Sequence, residues 1–265
     1  MNRNRKIVMG LVAGLLLTLS LGCRVTMSFD SVEVGELQYA SKRVELEDAG
    51  EVRVDVRFSA GELRIAGGTE PGTLLDADFT YNVENWEPLV EYNGERLVVR
   101  QPSSQKIPVG DRVRYEWDLL LNEGVPLDLR IDFGAGQANL DLSALSLTDF
   151  DLTMGAGDVD IDLEGNRTLE QLELDMAAGD MTVDLRGDWE HDVDVTIQGG
   201  VGQMTLRLPE DQGVRVEVSK GLGNVDAGGF NRDGNTYTND AYADSETTLY
   251  VIIQAGMGQI NLDLD

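Results

Sequence analysis

A nine-residue phrase returns along this chain, and it limits what the chain can fold into. It reads Gly134-Ala-Gly-Gln-Ala-Asn-Leu-Asp-Leu142, then Gly155-Ala-Gly-Asp-Val-Asp-Ile-Asp-Leu163, then Ala177-Ala-Gly-Asp-Met-Thr-Val-Asp-Leu185 and Gly200-Val-Gly-Gln-Met-Thr-Leu-Arg-Leu208. Altered copies stand at Gly221–Val225 and Gly256–Leu264, and an early copy reads Ser59-Ala-Gly-Glu-Leu-Arg-Ile65. From the first full copy onward, the last glycine of the motif falls at 136, 157, 179, 202, 223 and 258, in steps of 21, 22, 23, 21 and 35. A fixed period near 21 marks a repeat architecture with one supersecondary unit per repeat.

Each unit reads as strand, glycine corner, strand. After the glycine, apolar residues alternate with polar ones, as in Val159, Ile161, Leu163 and Met181, Val183, Leu185. The stretches before it alternate too, as in Leu127, Leu129, Ile131, Phe133 and Val193, Val195, Ile197. A period of two puts one set on one face of a strand. The small corner residues fit a sharp turn at positive φ or a close approach of another backbone. One such unit cannot bury its apolar face alone, but a stack shares a continuous core. An antiparallel meander and a β-solenoid both fit this alternation; the recurrence of one corner chemistry favours the solenoid. The expected fold is therefore all-β, a stacked-strand, single-stranded β-helix-like solenoid with a period near 21 residues.

The chain carries 21 basic and 48 acidic residues, a net charge of −27, and only four lysines. Such a surface repels phosphate, which excludes nucleic acid as an expected partner. It also fits a soluble, self-repelling surface or adaptation to high salt. The single cysteine, Cys23, excludes an intramolecular disulfide and a cysteine-rich metal site.

Taken in order, residues 1–22 read as an export signal. Arg3, Arg5 and Lys6 make a basic start, and Ile7 to Leu21 is an apolar run too short for a membrane span of ~20 residues. The run ends Leu19-Ser-Leu-Gly-Cys23, which resembles the lipobox of bacterial lipoproteins, with Ser20 as a departure from it. That resemblance implies cleavage before Cys23, its lipidation, and anchoring to a membrane, the outer one if the cell has one; a plain signal peptide or an uncleaved anchor is the alternative. Residues 23–36 would be the lipidated N-terminus and a tether. Residues 37–115 would be an N-terminal β domain ending in a polar, Pro-marked loop at 102–115, and 116–265 the repeat domain.

The runs "VELEDAGEVRVDVRFSAGELRIAGG", "LLDADFTYNVENWEPLVEY" and "RLVVRQ" resemble the N-terminal toast-rack domain of bacteria. The following "WDLLLNEGVPLDLRIDFGAGQANLDLSALSLTDFDLTMGAGDVDIDL" is similar to putative-adhesin and LiaF-type envelope-stress domains. The resemblance covers about residues 31–265. It implies a stacked-strand protein of the cell envelope, and it supplies no catalytic residues to carry over.

The residues give no catalytic constellation either. The one histidine, His191, lies in a turn-like Trp-Glu-His-Asp, and no nucleophile elbow, phosphate loop, dinucleotide fingerprint or His-based zinc spacing is present. We therefore expect no enzyme, no catalytic residue and no cofactor. Two weaker sites remain. In a solenoid the acids after each corner would stack about 4.8 Å apart and need compensation, so Asp158, Asp160, Asp162, Asp180 and Asp184 are calcium candidates. The long last interval places extra residues at Gly228–Tyr242, where Phe230, Tyr237 and Tyr242 could form a binding loop or simply part of a hairpin capping the last coil. The functional expectation is a structural, adhesive or envelope-stress-sensing lipoprotein, held to the membrane by its N-terminal lipid and meeting an envelope protein or glycan. The alternative is a calcium- or polysaccharide-binding module.

Overall fold

The alternating pattern becomes long strands that bend at their glycines. The computed structural model describes residues 34–102 and 113–265. The signal segment, Cys23, most of the tether and most of the Pro-marked loop lie outside the described residues. The strands are β1 (Val34–Glu45), β2 (Val52–Gly67), β3 (Thr73–Val83), β4 (Leu89–Tyr92), β5 (Arg96–Arg100), β6 (Tyr115–Leu121) and β7 (Leu127–Asp141). Next come β8 (Leu147–Asp162), β9 (Gln171–Asp184), β10 (Val193–Leu208), β11 (Gly213–Asp226), β12 (Asn231–Asp233), β13 (Thr236–Thr238) and β14 (Thr248–Leu264), with a 3-10 turn at Asp240–Ala243. Strand β1 begins three residues before Leu37, where the sequence pattern first showed a strand.

All fourteen strands join one sheet in the order β1-β3-β6-β2-β7-β8-β9-β10-β14-β11-β13-β12, with β4 and β5 paired beside β2. From β2 to β11 the neighbours are parallel and in register. Gly61 lies on Gly136, Gly136 on Gly157, Gly157 on Gly179 and Gly179 on Gly202. The first copy of the phrase therefore stacks directly on the second, although residues 68–126 separate them in the chain. β6 pairs parallel with Glu62–Gly67 of β2, and β3 and then β1 continue the sheet antiparallel beyond it, so the strands on either side of residue 115 share one sheet.

The column does not follow chain order to its end. The last strand, β14, lies between β10 and β11, with Gly202 on Gly258 and Gly258 on Gly223. The interval of 35 is what allows this. The chain leaves β11, forms the β12–β13 hairpin against Arg215–Glu217, and returns to fill the place beside β10. The extra residues therefore cap the first half of β11, now the outermost coil.

Two physical constraints make the column glycine. Gly157 and Gly179 sit at φ 134° and 133°, a region that residues with a Cβ rarely adopt. A Cβ on Gly179 would also stand 1.8 Å from the carbonyl oxygen of Gly157. The core lies inside the bend: Leu127, Leu129, Ile131 and Phe133 from one half of a coil, Ala138 and Leu140 from the other, all buried. At the N-terminal end, Trp117 packs edge-on against Phe58 and Phe79, with ring centroids 4.9 and 5.4 Å away. At the other turns of the coils, buried asparagines satisfy backbone carbonyls that no strand reaches. Asn166 Nδ2 donates to Leu142 and Leu145, and Asn239 Nδ2 to Pro209, Glu210 and Gln212.

Candidate functional site

The glycine corner sets the surface that a partner would meet. The residue between the two corner positions projects from the bend, and in the stack these residues form a ridge. It runs Ala60, Ala135, Ala156, Ala178, Val201, Met257, Leu222. The first four are small. The last three are large and exposed, at 55%, 51% and 67% of their surface. Inside the bend the trend reverses: Phe58, Phe133, Met154 and Met176 are followed by Gly199 and Ala255. The corner thus moves apolar bulk from the interior to the surface across the last coils.

Charge changes at the same place. Val195–Leu206 and Thr248–Leu262 contain no charged residue, in a chain with 48 acids. Their outward side chains are Thr196, Gln198, Gln203 and Thr205 on β10 and Tyr250, Ile252, Gln254, Gln259 and Asn261 on β14, in register across the two strands. A shallow depression of about 630 Å³ runs along this corner, lined by Asp175, Gln198, Gln254, Ser219 and Lys220 together with Gly199, Gly200, Gly221 and Gly256.

The acid-rich face lies on β8 and β9. Asp158 stands on Asp180 and Asp162 on Asp184, as the ladder predicts. Arginines compensate the crowding. Arg186 Nη2 is 2.7 Å from the Asp184 carboxylate and Arg207 Nη1 3.4 Å from it. On the other half of the coils, Arg130 bridges Asp128 at 3.1 Å and Asp151 at 3.5 Å. Burial alone would raise the Asp184 carboxyl, but hydrogen bonds from the Arg186 side chain and backbone and from Arg207 outweigh it and hold it below the usual range. Asp151 goes the other way: burial, with Asp128 and Asp149 nearby, raises it despite Arg130. Among the described residues no group of three or more His, Cys, Asp or Glu is placed to hold a metal ion, so the calcium candidates gain no support from their geometry.

The loop candidates separate. Tyr237 is buried, with the Arg232 guanidinium 5.3 Å from its ring centroid, and it is part of the core, unavailable for the contact role the sequence suggested. Phe230 and Tyr242 are half-buried on the hairpin and the 3-10 turn. His191 Nδ1 lies 3.0 Å from the backbone oxygen of Asp192. Sequence reasoning missed the Val201–Met257–Leu222 ridge, because Leu222 and Met257 are adjacent only once β14 is placed between β10 and β11. The absence of charge along Thr248–Leu262 was the signal available in the sequence.

Comparison with known proteins places the chain. The model of the N-terminal domain of toast_rack, DUF2154, matches residues 33–169 and 165–207. The chain belongs to the toast-rack family. A solved structure of a putative cell adhesion protein from Clostridium sporogenes is 30% identical, covering 87% of this chain and 100% of that one with a TM-score of 0.67. A putative adhesin from Bacteroides fragilis covers 86% of the chain and 97% of its own length at 11% identity and a TM-score of 0.30. No curated protein matches the chain. The toast-rack membership agrees with the β-solenoid-like stack of parallel coils, whose fourteen-stranded sheet is not closed. No described helix is long and apolar enough to cross a membrane.

Proposed function

We propose that this toast-rack protein is an exported, lipid-anchored, non-enzymatic protein of the bacterial envelope, and that its role is adhesive: it presents the far end of its stack to a partner. The observation that carries this reading is the exposed Val201–Met257–Leu222 ridge, two of whose three members lie in the charge-free runs Val195–Leu206 of β10 and Thr248–Leu262 of β14. A chain of net charge −27 repels other acidic surfaces over most of its area. An uncharged apolar ridge is where contact carries the least electrostatic cost, and exposed apolar patches mark interaction sites. The Clostridium sporogenes relative, a putative cell adhesion protein, supports the same reading. The ridge lies toward the opposite end of the strand order from β1.

Two measurements test this. Metabolic labelling with palmitate should mark the wild-type chain and not Cys23→Ser. Cells displaying the full chain should adhere to an envelope-glycan or cell-surface coat more strongly than cells displaying Leu222→Asp/Met257→Asp, at equal surface amounts. Equal adhesion by the two removes the ridge from the account. A second reading, a polysaccharide-binding module, has the corner depression in its favour, because the Gln198 and Gln254 amides and open glycine backbone suit hydroxyl groups. Binding of soluble neutral glycan strands, lost in Gln198→Ala/Gln254→Ala, would select it.

A further inference from the structure

The glycine column has a direction, and its last member has no neighbour. In every step the carbonyl of one column glycine points at the next glycine. A Cβ on Gly136 would meet Gly61 O at 2.0 Å, one on Gly258 would meet Gly202 O at 1.7 Å, and one on Gly223 would meet Gly258 O at 1.7 Å. Gly223 ends the column, because β13 covers β11 only over Arg215–Glu217 and no described strand pairs with the outer side of Ser219–Asp226. Its carbonyl is taken instead by Lys220, whose Nζ donates to Gly223 O at 2.5 Å. Lys220 occupies the column position held by Phe58, Phe133, Met154, Met176, Gly199 and Ala255 in the other coils. The outermost coil thus replaces a core residue with a cation that folds over the open end. Among the described residues Lys220 makes no ion pair that would give it another employment.

We infer that Lys220 is an edge guard: it keeps the open half of β11 from pairing with β11 of a second copy of this chain. An unpaired strand edge is a template for strand addition, and lysine is a residue that blunts it. General charge repulsion does not protect this edge, since the neighbouring β10 and β14 are uncharged around the corner and Leu222 is exposed. The column also decides which pairing the guard must prevent. A parallel addition in register needs a glycine against the Gly223 carbonyl, and the phrases that carry one are already stacked. An antiparallel addition has no such requirement. Two copies related by a two-fold axis supply it, each lending the same edge, and the contact closes on itself without growing a filament.

The test uses the full chain in a mild detergent, sized by light scattering during chromatography. Lys220→Met keeps the length of the side chain and removes the donor; it should show about twofold the protein mass of wild type, as a closed dimer requires. Lys220→Arg keeps a donor and should run as wild type. Lys220→Met/Leu222→Lys restores a cation on the same edge and should return to the wild-type mass. A Lys220→Met chain that stays at the wild-type mass overturns the inference. So does a wild type that associates as strongly as Lys220→Met, or a Lys220→Met chain whose association is general aggregation of an unfolded protein that Leu222→Lys leaves unchanged.

Discussion

Gly179→Ala is the substitution that most directly measures what holds the coils at their spacing. The new methyl would lie 1.8 Å from Gly157 O and 2.8 Å from Gly157 C, and both are backbone atoms in the centre of a parallel ladder. No side chain can move aside to relieve the contact. Either the ladder opens or the corner refolds. The backbone at φ 133° adds strain of ~1–3 kcal/mol for a residue with a Cβ, and forcing extra volume into a packed position costs ~1–3 kcal/mol. Together these predict a loss of about 2–6 kcal/mol. For a chain of this size that is a fall in Tm of roughly 10 °C. Two controls separate the contributions. Gly165 is at φ 73° with nothing within 4 Å of a Cβ, so Gly165→Ala carries the strain alone, about 1 kcal/mol. Gly50 has neither constraint, so Gly50→Ala should be neutral or stabilise by a few tenths of a kcal/mol. Urea unfolding followed by the fluorescence of the buried Trp86, Trp117 and Trp189 ranks the three. If Gly179→Ala costs no more than Gly165→Ala, close backbone approach is not what selects glycine in the column, and the reasoning fails.

Two further outcomes follow from the same geometry. The Asp184 carboxyl is held below its ordinary range in the folded state, so its contribution is complete above the unfolded value of ~3.9 and is lost as the pH falls through the folded value. Asp184→Asn should therefore lower the Tm at pH 7 and flatten its fall on acidification below about pH 4, read by melting across a pH series; an unchanged acid limb would contradict this. Truncation after Ser245 removes β14 and leaves β11 with only the short β13 beside it. Limited proteolysis should then release residues 209–245 while the array through β9 stays resistant, whereas a protected β11 would mean that β11 can pair with β10 directly.

Much of this architecture is legible in the residues. Alternation on both sides of Gly157 and Gly179 assigns the strand halves, and the regular step assigns a stack. The parallel register follows, because Asp158 on Asp180 and Met154 on Met176 are what a common step produces. The order of the last two coils is not legible. Gly223 and Gly258 carry the same chemistry, and nothing local distinguishes a strand laid on the end from one inserted behind it. The 35-residue interval reported an excursion without its destination. Side-chain fate on the excursion was hidden for the same reason: Tyr237 and Tyr242 look alike in sequence, yet the pairing of β13 with β11 buries the first and leaves the second only half-buried. The candidate site was half visible. The charge-free run Thr248–Leu262 could be read directly, but the ridge exists only because β14 brings Met257 between Val201 and Leu222. Lys220 shows the same limit. At its place in the phrase it looks like a polar interruption of the apolar column, and its role appears only when the Gly223 carbonyl is seen to have no strand beyond it.

Cysteine cross-linking at the ridge tests the central claim, one glycine column with β14 inside it, in a Cys23→Ser background. Neighbouring parallel strands place in-register Cα atoms about 4.8 Å apart, within disulfide reach, while strands two places apart are at roughly 10 Å and out of it. The account predicts that Val201→Cys/Met257→Cys and Leu222→Cys/Met257→Cys each form an intramolecular disulfide under mild oxidation and that Val201→Cys/Leu222→Cys does not. A disulfide between positions 201 and 222, with none between 201 and 257, would show the coils stacked in chain order and would contradict it.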